Sequence, residues 1–141
     1  MLVEAEAARC SVDVKAESMA PVSIRGSRLR IEQVVVNLLT NAIHAASETD
    51  KGRVLVALAE MPDGARITVD DNGLGIAEEV RETLFDPFVS TKASGTGMGL
   101  GLAISAEIVR DHNGVLRAEP RAEGGTRFVI EIPAASLDMV A

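Results

Sequence analysis

Apolar residues recur at spacings of three and four between residues 28 and 47, and this pattern predicts a helix with one hydrophobic face. Its apolar positions are Ile31, Val34, Val35, Leu38, Leu39, Ala42, Ile43 and Ala46. A second helical pattern covers residues 100–112 and ends at Asn113-Gly114, a sequence typical of helix C-termini. A shorter acidic helix is predicted to begin near Ala77.

Alternating apolar and polar residues predict strands at residues 10–16, 53–60, 65–71, 115–119 and 126–132. Residues 21–26 are a candidate partner for the first of them. The second and third strands are joined by a turn at residues 61–64, and the last two form another hairpin. Because the strands come in hairpin pairs separated by helices, we expect an α+β fold. Its sheet would be mixed and mostly antiparallel, with helices on one face, rather than doubly wound and parallel.

The composition narrows the class of protein. A chain of 141 residues suits one domain with its own core. It carries 14 basic and 21 acidic residues, so nucleic acid and direct contact with an anionic membrane are disfavoured. The single cysteine, Cys10, fits a reducing compartment. No signal-peptide pattern and no apolar run of about 18 residues is present, so we expect a cytoplasmic domain.

A polar stripe interrupts the first predicted helix. Gln33, Asn37, Asn41 and His44 follow one another at four, four and three residues and therefore share one face. Asparagine is a poor helix former. One interpretation is a solvated helix face; the other is a face toward a metal ion and phosphates, since amide oxygens ligate Mg²⁺ and amide hydrogens bind phosphate oxygens.

The end of the third predicted strand is acidic. Ile67, Val69 and Asp71 share one face by alternation, so Asp71 is in phase with core residues, where a carboxylate is costly unless donors surround it. The segment Asp71-Asn72-Gly73 is either a simple turn or part of a site. In a site, Asp71 would accept a hydrogen bond from the amino group of a buried heterocycle, and Gly73 and Gly75 would expose bare backbone to it.

Four glycines, at positions 95, 97, 99 and 101, precede the second long helix. They do not form a GxGxxG fingerprint, because the third glycine position is Leu or Ile in every register, and no Gly-Lys pair forms a phosphate loop. Glycines at a helix start expose backbone amides to phosphate oxygens. The alternative is a linker, for which the interleaved Met98, Leu100 and Leu102 are poorly suited.

Five segments together resemble the ATP-binding catalytic domain of sensor histidine kinases, a branch of the family that includes gyrase, Hsp90 and MutL. They are "NLLTNAIHAA", "DDNGLGI", "LFDPFVSTK", "GTGMGLGLAI" and "GGTRF", in the order of that family's N, G1, F, G2 and G3 boxes. "DPFVSTK" followed closely by "GMGLGL" is most similar to the nitrogen-, oxygen- and dicarboxylate-sensing kinases. The resemblance runs from about residue 12 to residue 133.

The resemblance implies the Bergerat fold, a two-layer α/β sandwich with about five strands and three helices on one face. A single domain would span residues 1–141, with its core at about 12–133 and flexible ends at 1–9 and 134–141. Residues 86–97 would form a mobile lid anchored by Phe85 and Phe88.

The resemblance also implies a site for ATP and Mg²⁺. Asn41 and Asn37 would be the metal residues, Asp71 would bind the adenine amino group, and Thr126 would support the adenine through water. His44 stands where many relatives have lysine or arginine. The implied nucleotide-binding residues are Asn37, Asn41, His44, Asp71, Gly73, Gly75, Ile76, Phe88, Lys92, Gly97, Met98, Gly99, Leu100 and Thr126.

Asn37 stands where ATPases of this family, and the serine-phosphorylating anti-sigma kinases, have a glutamate base. An amide does not accept a proton near neutral pH, so autonomous hydrolysis is disfavoured and no catalytic residue is assigned. Neither His44 nor His112 suits the family's phosphoacceptor, which lies on a separate dimerisation domain.

We therefore expect an excised kinase catalytic domain that presents the γ-phosphate of ATP to that histidine and, through it, serves a response regulator. An ATPase or nucleotide switch and a nucleotide-free interaction domain are the alternatives. Membrane anchoring of the parent protein is left open.

Overall fold

The computed structural model describes residues 7–8, 11–19, 28–62, 64–81, 84–85 and 98–133, which contain a five-stranded sheet. The strands are β1 (Asp13–Met19), β2 (Arg53–Met61), β3 (Gly64–Asp71), β4 (Val115–Pro120) and β5 (Thr126–Pro133). Their order across the sheet is β1-β2-β3-β5-β4, with β1 parallel to β2 and every other pair antiparallel. The predicted mixed, mostly antiparallel sheet is thus confirmed.

The helices are α1 (Arg28–Ala46), α2 (Glu78–Arg81) and α3 (Met98–Asp111). Of the three predicted helices, two are long in the described part of the chain, whereas α2 is a single turn. α1 contacts β2 and β3, and α3 contacts α1 and β4. The helices and the sheet therefore form the two layers of an α/β sandwich.

The core lies between these layers and is mainly aliphatic. Buried side chains from α1, such as Val34, Leu38 and Ile43, meet alternate strand residues such as Val69 and Ile130. This alternation places one face of each strand against the helices, as the pattern of the sequence predicts. The Phe128 ring makes an edge contact with the Phe85 ring, with centroids 6.3 Å apart.

The ends of two elements differ from prediction. β1 begins at Asp13 rather than residue 10, because Ser11 adopts a left-handed φ of 57° in a turn whose amides bind Ala7 and Ala8 carbonyls. α3 begins at Met98 rather than residue 100, so Gly99 is helical. The candidate strand at residues 21–26, the lid at 86–97 and the tail at 134–141 lie outside the described residues.

The face of the sheet away from the helices carries a ladder of ion pairs. Arg66 on β3 and Arg117 on β4 both donate to the carboxylate of Glu131 on β5, at 2.6–2.9 Å. Hydrogen bonds from Arg117 and then Arg66 lower the pKa of Glu131 below its ordinary value. These half-exposed charged side chains lie on the same face of the sheet as Val129 of β5. Val129 is buried between the neighbouring strands β3 and β4.

Candidate nucleotide site

Asp71 ends β3 on the helix-facing side of the sheet and is only 1% exposed. Burial raises the pKa of its carboxyl group, while hydrogen bonds from the backbone of Gly73 and Thr126, and the charge of Arg121, act in the opposite direction. The Gly73 amide lies 2.8 Å from Oδ1. A carboxylate buried at a cost, yet surrounded by fixed donors, is typical of a functional position.

Asp70, the preceding residue, faces the opposite side of the sheet. Its two carboxylate oxygens accept hydrogen bonds from Arg127 on β5, at 2.7 and 2.8 Å. This bidentate pair is the ordinary way to satisfy a buried carboxylate. Asp70 is therefore bound within the sheet, and of these two residues it is Asp71 that presents its carboxylate on the helical side.

Glycines allow three segments to converge on Asp71. Gly73 packs on α1, where a Cβ atom would lie 2.6 Å from the Ala45 carbonyl oxygen, so no larger residue fits. Gly125, with φ of 92°, lies directly against the carbonyl group of Asp71. Gly75 is next to Gly125, whose oxygen lies 3.8 Å from the Cβ position of Gly75. The segments "DDNGLGI" and "GGTRF" are therefore adjacent in space.

Asn72 has a structural role in the same segment. Its Oδ1 accepts from the Arg53 amide and its Nδ2 donates to the Lys51 carbonyl, both at 2.7 Å. These bonds tie the end of β3 to the start of β2. The turn interpretation of this segment thus applies to Asn72, whereas the Asp71 carboxylate is held by amides of Gly73 and Thr126.

The polar stripe of α1 is not a uniformly solvated face. Gln33 is exposed, but Asn37, Asn41 and His44 are half-buried. Asn37 Nδ2 donates to Oγ of Ser105 on α3 over 3.2 Å, and Ser105 is fully buried. The stripe therefore contacts α3 through Asn37 and ends next to Ala45, on which Gly73 packs.

The start of α3 supplies backbone donors. The first amides of any helix lack intrahelical partners, and the helix dipole makes them attractive to anions. In α3 these are the amides around Met98, Gly99 and Leu100. The other predicted residues of this region, Phe88, Lys92 and Gly97, lie outside the described residues.

Two predicted pocket residues are packed rather than exposed. Thr126, at the start of β5, is buried beside Asp71, and Ile76 packs half-buried against the core. Phe85 also packs on the core, at the beginning of the segment predicted as the lid.

A divalent metal ion at this site would be bound by side-chain amide oxygens and by oxygens of the bound ligand. Within the described ranges, no three His, Cys, Asp or Glu side chains lie close enough to hold a metal ion. Asn37 and Asn41, one helical turn apart on α1, offer amide oxygens. This donor set suits Mg²⁺ that arrives with phosphate oxygens of its own.

Sequence reasoning missed Ser105 and Arg121. Ser105 is a polar residue on the apolar face of α3, between Leu102 and Ile108, and that position was the available signal. Arg121 lies in the β4–β5 loop and donates from Nη1 to the Asp71 carbonyl oxygen over 2.9 Å. No local pattern marks this arginine, since its partner is 50 residues earlier in the chain.

Comparison with known proteins identifies the class. Residues 26–136 match the family model of histidine kinase-, DNA gyrase B- and HSP90-like ATPases, and the chain belongs to this family. Within it, the relatives are sensor histidine kinases, and the chain is homologous to their ATP-binding catalytic domains. The resemblance inferred from the five boxes is thereby confirmed.

Two curated relatives illustrate the similarity. The C4-dicarboxylate transport sensor protein DctB of Rhizobium meliloti is 46% identical over 107 residues, 76% of this chain and 17% of that protein. The sensor protein FixL of Bradyrhizobium diazoefficiens is 37% identical over 113 residues, 79% of this chain and 22% of that protein. The chain thus spans about a fifth of the length of these relatives.

Solved structures of histidine kinases have the same fold as this chain. The catalytic domain of histidine kinase ThkA superimposes with a TM-score of 0.81 at 33% identity, covering 94% of this chain and 85% of that one. ThkA has also been solved in complex with the response regulator protein TrrA; this match has a TM-score of 0.76 at 32% identity and covers 94% of this chain and 37% of that one. The Bergerat-type fold is therefore confirmed. None of the described helices combines the length and apolarity needed to cross a membrane.

Proposed function

We propose that this chain is the Mg-ATP-binding catalytic domain of a two-component sensor histidine kinase, and that it presents the γ-phosphate to a histidine on a separate dimerisation domain. One observation supports the proposal: within the described part of the chain, Asp71, Gly73, Thr126 and Asn37 lie on segments that contact one another. Asp71 and Thr126 lie at one end of this set of segments, Gly73 joins them to α1 at Ala45, and Asn37 joins α1 to α3 at Ser105.

Each end of this set of segments suits one part of ATP. The buried Asp71 carboxylate is an acceptor for the adenine amino group, and Gly75 leaves room for the base beside it. At the other end, Asn37 and Asn41 would hold Mg²⁺, which neutralises phosphate charge when bound. The amides at the start of α3, together with His44 and Lys92, are the proposed phosphate contacts.

The site offers positioning rather than a base. Asn37 is an amide whose Nδ2 donates to Ser105, so it does not activate a water molecule. Phosphoryl transfer depends chiefly on positioning and charge neutralisation, and the acceptor is supplied from elsewhere. His112 is not that acceptor, because it is 7% exposed and its Nδ1 lies 2.8 Å from the Ile108 carbonyl oxygen.

The proposed partners follow because this chain would position the nucleotide, whereas another domain would supply the phosphoacceptor histidine. The dimerisation domain brings the histidine, and a response regulator is served through that domain, as the solved complex of the related ThkA with TrrA suggests for this branch. The net charge of −7 supports neither nucleic-acid binding nor direct membrane contact, and we propose a cytoplasmic location for the domain.

Calorimetric titration of the chain with Mg-ATP tests the proposal. We expect Asp71→Asn to weaken binding about ten- to hundredfold, because the ionised acceptor for the adenine amino group is lost. Asp111→Asn is the matched control: its half-exposed carboxylate forms an ion pair with Arg30 on the helical surface, and binding should not change.

Equal affinity for wild type and Asp71→Asn would overturn the site assignment. Steady ATP hydrolysis by the chain alone, abolished by Asn37→Ala, would instead support the alternative of an ATPase or nucleotide switch.

A further inference from the structure

Arg121 is the most buried arginine among those whose ion pairs the structure describes. Its side chain is 13% exposed, compared with 46% for Arg127 on the neighbouring strand. Nη1 donates to the carbonyl oxygen of Asp71 over 2.9 Å and is 3.3 Å from that of Gly124. Arg121 therefore joins the β4–β5 loop to the last residue of β3.

The same guanidinium lies next to the Asp70 carboxylate. Its Nε is buried, has no hydrogen-bond partner in the described part of the chain, and lies 3.8 Å from Oδ2 of Asp70. Arg127 already binds both Asp70 oxygens. Arg121 thus makes an ion pair with Asp70 and a backbone hydrogen bond with Asp71, and its Nη2 lies 3.7 Å from the carboxylate of the exposed Glu123. This arrangement suits a planar fork of donors better than an ammonium group.

The loop that carries Arg121 is itself closed by backbone bonds. The Arg121 amide donates to the Gly125 carbonyl over 3.2 Å, and the Gly124 amide donates to the Arg121 carbonyl over 3.0 Å. Gly125 packs on the Asp71 carbonyl group, and the Thr126 backbone binds the Asp71 carboxylate. The loop therefore holds Asp71 at both its backbone and its side chain.

We propose that Arg121 is a positioning residue for adenine-nucleotide binding, which acts through Asp71 by fixing its backbone and setting the charge around its carboxylate. This inference rests on the proposed function, since it assigns Asp71 to the adenine amino group. Arg121 would act on the nucleotide through Asp71. It lies outside the five family boxes.

The charge of Arg121 gives the proposal a pH signature. The charged groups that act on Asp71 are Arg121, which lowers the pKa of its carboxyl, and Asp70, which raises it. On α1, which packs on Gly73 through Ala45, the neighbouring titratable residue is His44. Burial raises the pKa of Asp71, and the positive charge of Arg121 opposes this effect. Without Arg121, the pKa of Asp71 therefore rises further. The ionised acceptor is then lost at a higher pH than in the wild type.

The test is a set of Mg-ATP titrations of the wild type, Arg121→Met, Arg121→Lys and Arg117→Met from about pH 5.5 to about pH 8. We expect Arg121→Met to bind about tenfold more weakly at the upper end and to lose still more affinity toward the lower end. Arg121→Lys keeps the charge, so it should weaken binding while retaining the pH profile of the wild type.

Arg117→Met is the matched control, because Arg117 has two ion pairs, with Glu119 and Glu131, and lies on the outer face of the sheet. It should bind like the wild type at every pH. Protonation of the nucleotide is common to all four proteins, so a difference between their profiles reports on Asp71. A merely structural role for Arg121 would lower the melting temperature without displacing the profile.

Affinity of Arg121→Met within about twofold of the wild type throughout, or an equal loss in Arg117→Met, would overturn the inference. If Arg121→Met does not fold, the lysine variant decides: an unchanged affinity, or a displaced profile despite the retained charge, would refute it. Failure of the proposed function is distinguishable, because then the wild type itself would not bind, or Asp71→Asn would bind equally well.

Discussion

Asp70 and Asp71 are consecutive residues of β3 with opposite surroundings. Asp70 has a bidentate arginine partner, whereas Asp71 is buried on the helical side with backbone donors and a raised pKa. Strand alternation alone predicts that one of the two is in phase with the core, and Val69 identifies it as Asp71. The partner of Asp70 was not predictable, because Arg127 is 57 residues away and meets it only through the β3–β5 register.

The raised pKa of Asp71 has a consequence for stability. Its carboxyl binds a proton more tightly in the folded chain than at the ordinary value of 3.8, so stability falls as pH rises from 3.8 through the folded pKa. Asp71→Asn removes this cost. We expect the variant to be more stable than the wild type at neutral pH by on the order of 1 kcal/mol, despite its weaker nucleotide binding.

Urea unfolding at several pH values measures this effect. The excess stability of the variant should disappear below about pH 3.8, where the carboxyl is protonated in both the folded and the unfolded chain. An excess that is independent of pH, or a variant less stable than the wild type at neutral pH, would contradict the assignment of a raised pKa.

At the scale of elements, α3 has a well-defined end. Asn113 adopts φ of 60°, its amide donates to the Arg110 carbonyl, and the Gly114 amide donates to the Val109 carbonyl. These two bonds form a Schellman motif, which Asn-Gly in the sequence predicts. Gly114 also lies against β5, where a Cβ atom would be 2.5 Å from the Glu131 carbonyl oxygen.

Substitutions of Asn113 should separate two contributions to stability: the cost of the left-handed backbone conformation and the loss of the side chain. Asn113→Ala should lower the free energy of unfolding by about 1 kcal/mol, because alanine tolerates the left-handed conformation poorly. Asn113→Gly should be neutral or slightly stabilising, and it is the matched control for loss of the side chain. Denaturant unfolding of the three proteins measures both changes; equal stability of the alanine and glycine variants would exclude conformational strain as the cause.

The pairing of elements was harder to predict than their existence. Hydrophobic periodicity identifies α1, β2 and β3 almost to the residue, because a period of 3.6 or 2 is a local property. The parallel partner of β1 is β2, on the far side of α1 in the sequence, and no local pattern specifies it. The start of α3 was also placed two residues late, since Gly99 reduces helical propensity without excluding a helix.

At the scale of the whole molecule, the chain is a two-layer sandwich that corresponds to about a fifth of each sensor kinase relative described. Its family was evident from the sequence because five short segments occur in a fixed order. The same segments predict Asp71 and Thr126 as site residues, whereas the contacts of Arg121 and Ser105 join segments that are distant in the sequence.

The absence of a suitable acceptor among the described residues leads to a prediction for the whole chain. After incubation with γ-labelled Mg-ATP, we expect no acid-labile, base-stable label on the chain by itself, because His112 is buried and Asn37 does not act as a base. Gel autoradiography measures the label, and nucleotide binding in the same sample is the control. Stable label on a histidine of this chain would sink the prediction.

The segment from Asp71 to Gly73 is anchored from three directions: to α1 through Gly73, to the start of β2 through Asn72, and to the β4–β5 loop through Arg121. Such a surface has little freedom left to lose when a ligand arrives. The half of the site proposed for adenine is therefore preorganised before the nucleotide binds. The rate of nucleotide association should then be set by diffusion and by conformational changes at the phosphate end of the site, rather than by rearrangement around Asp71.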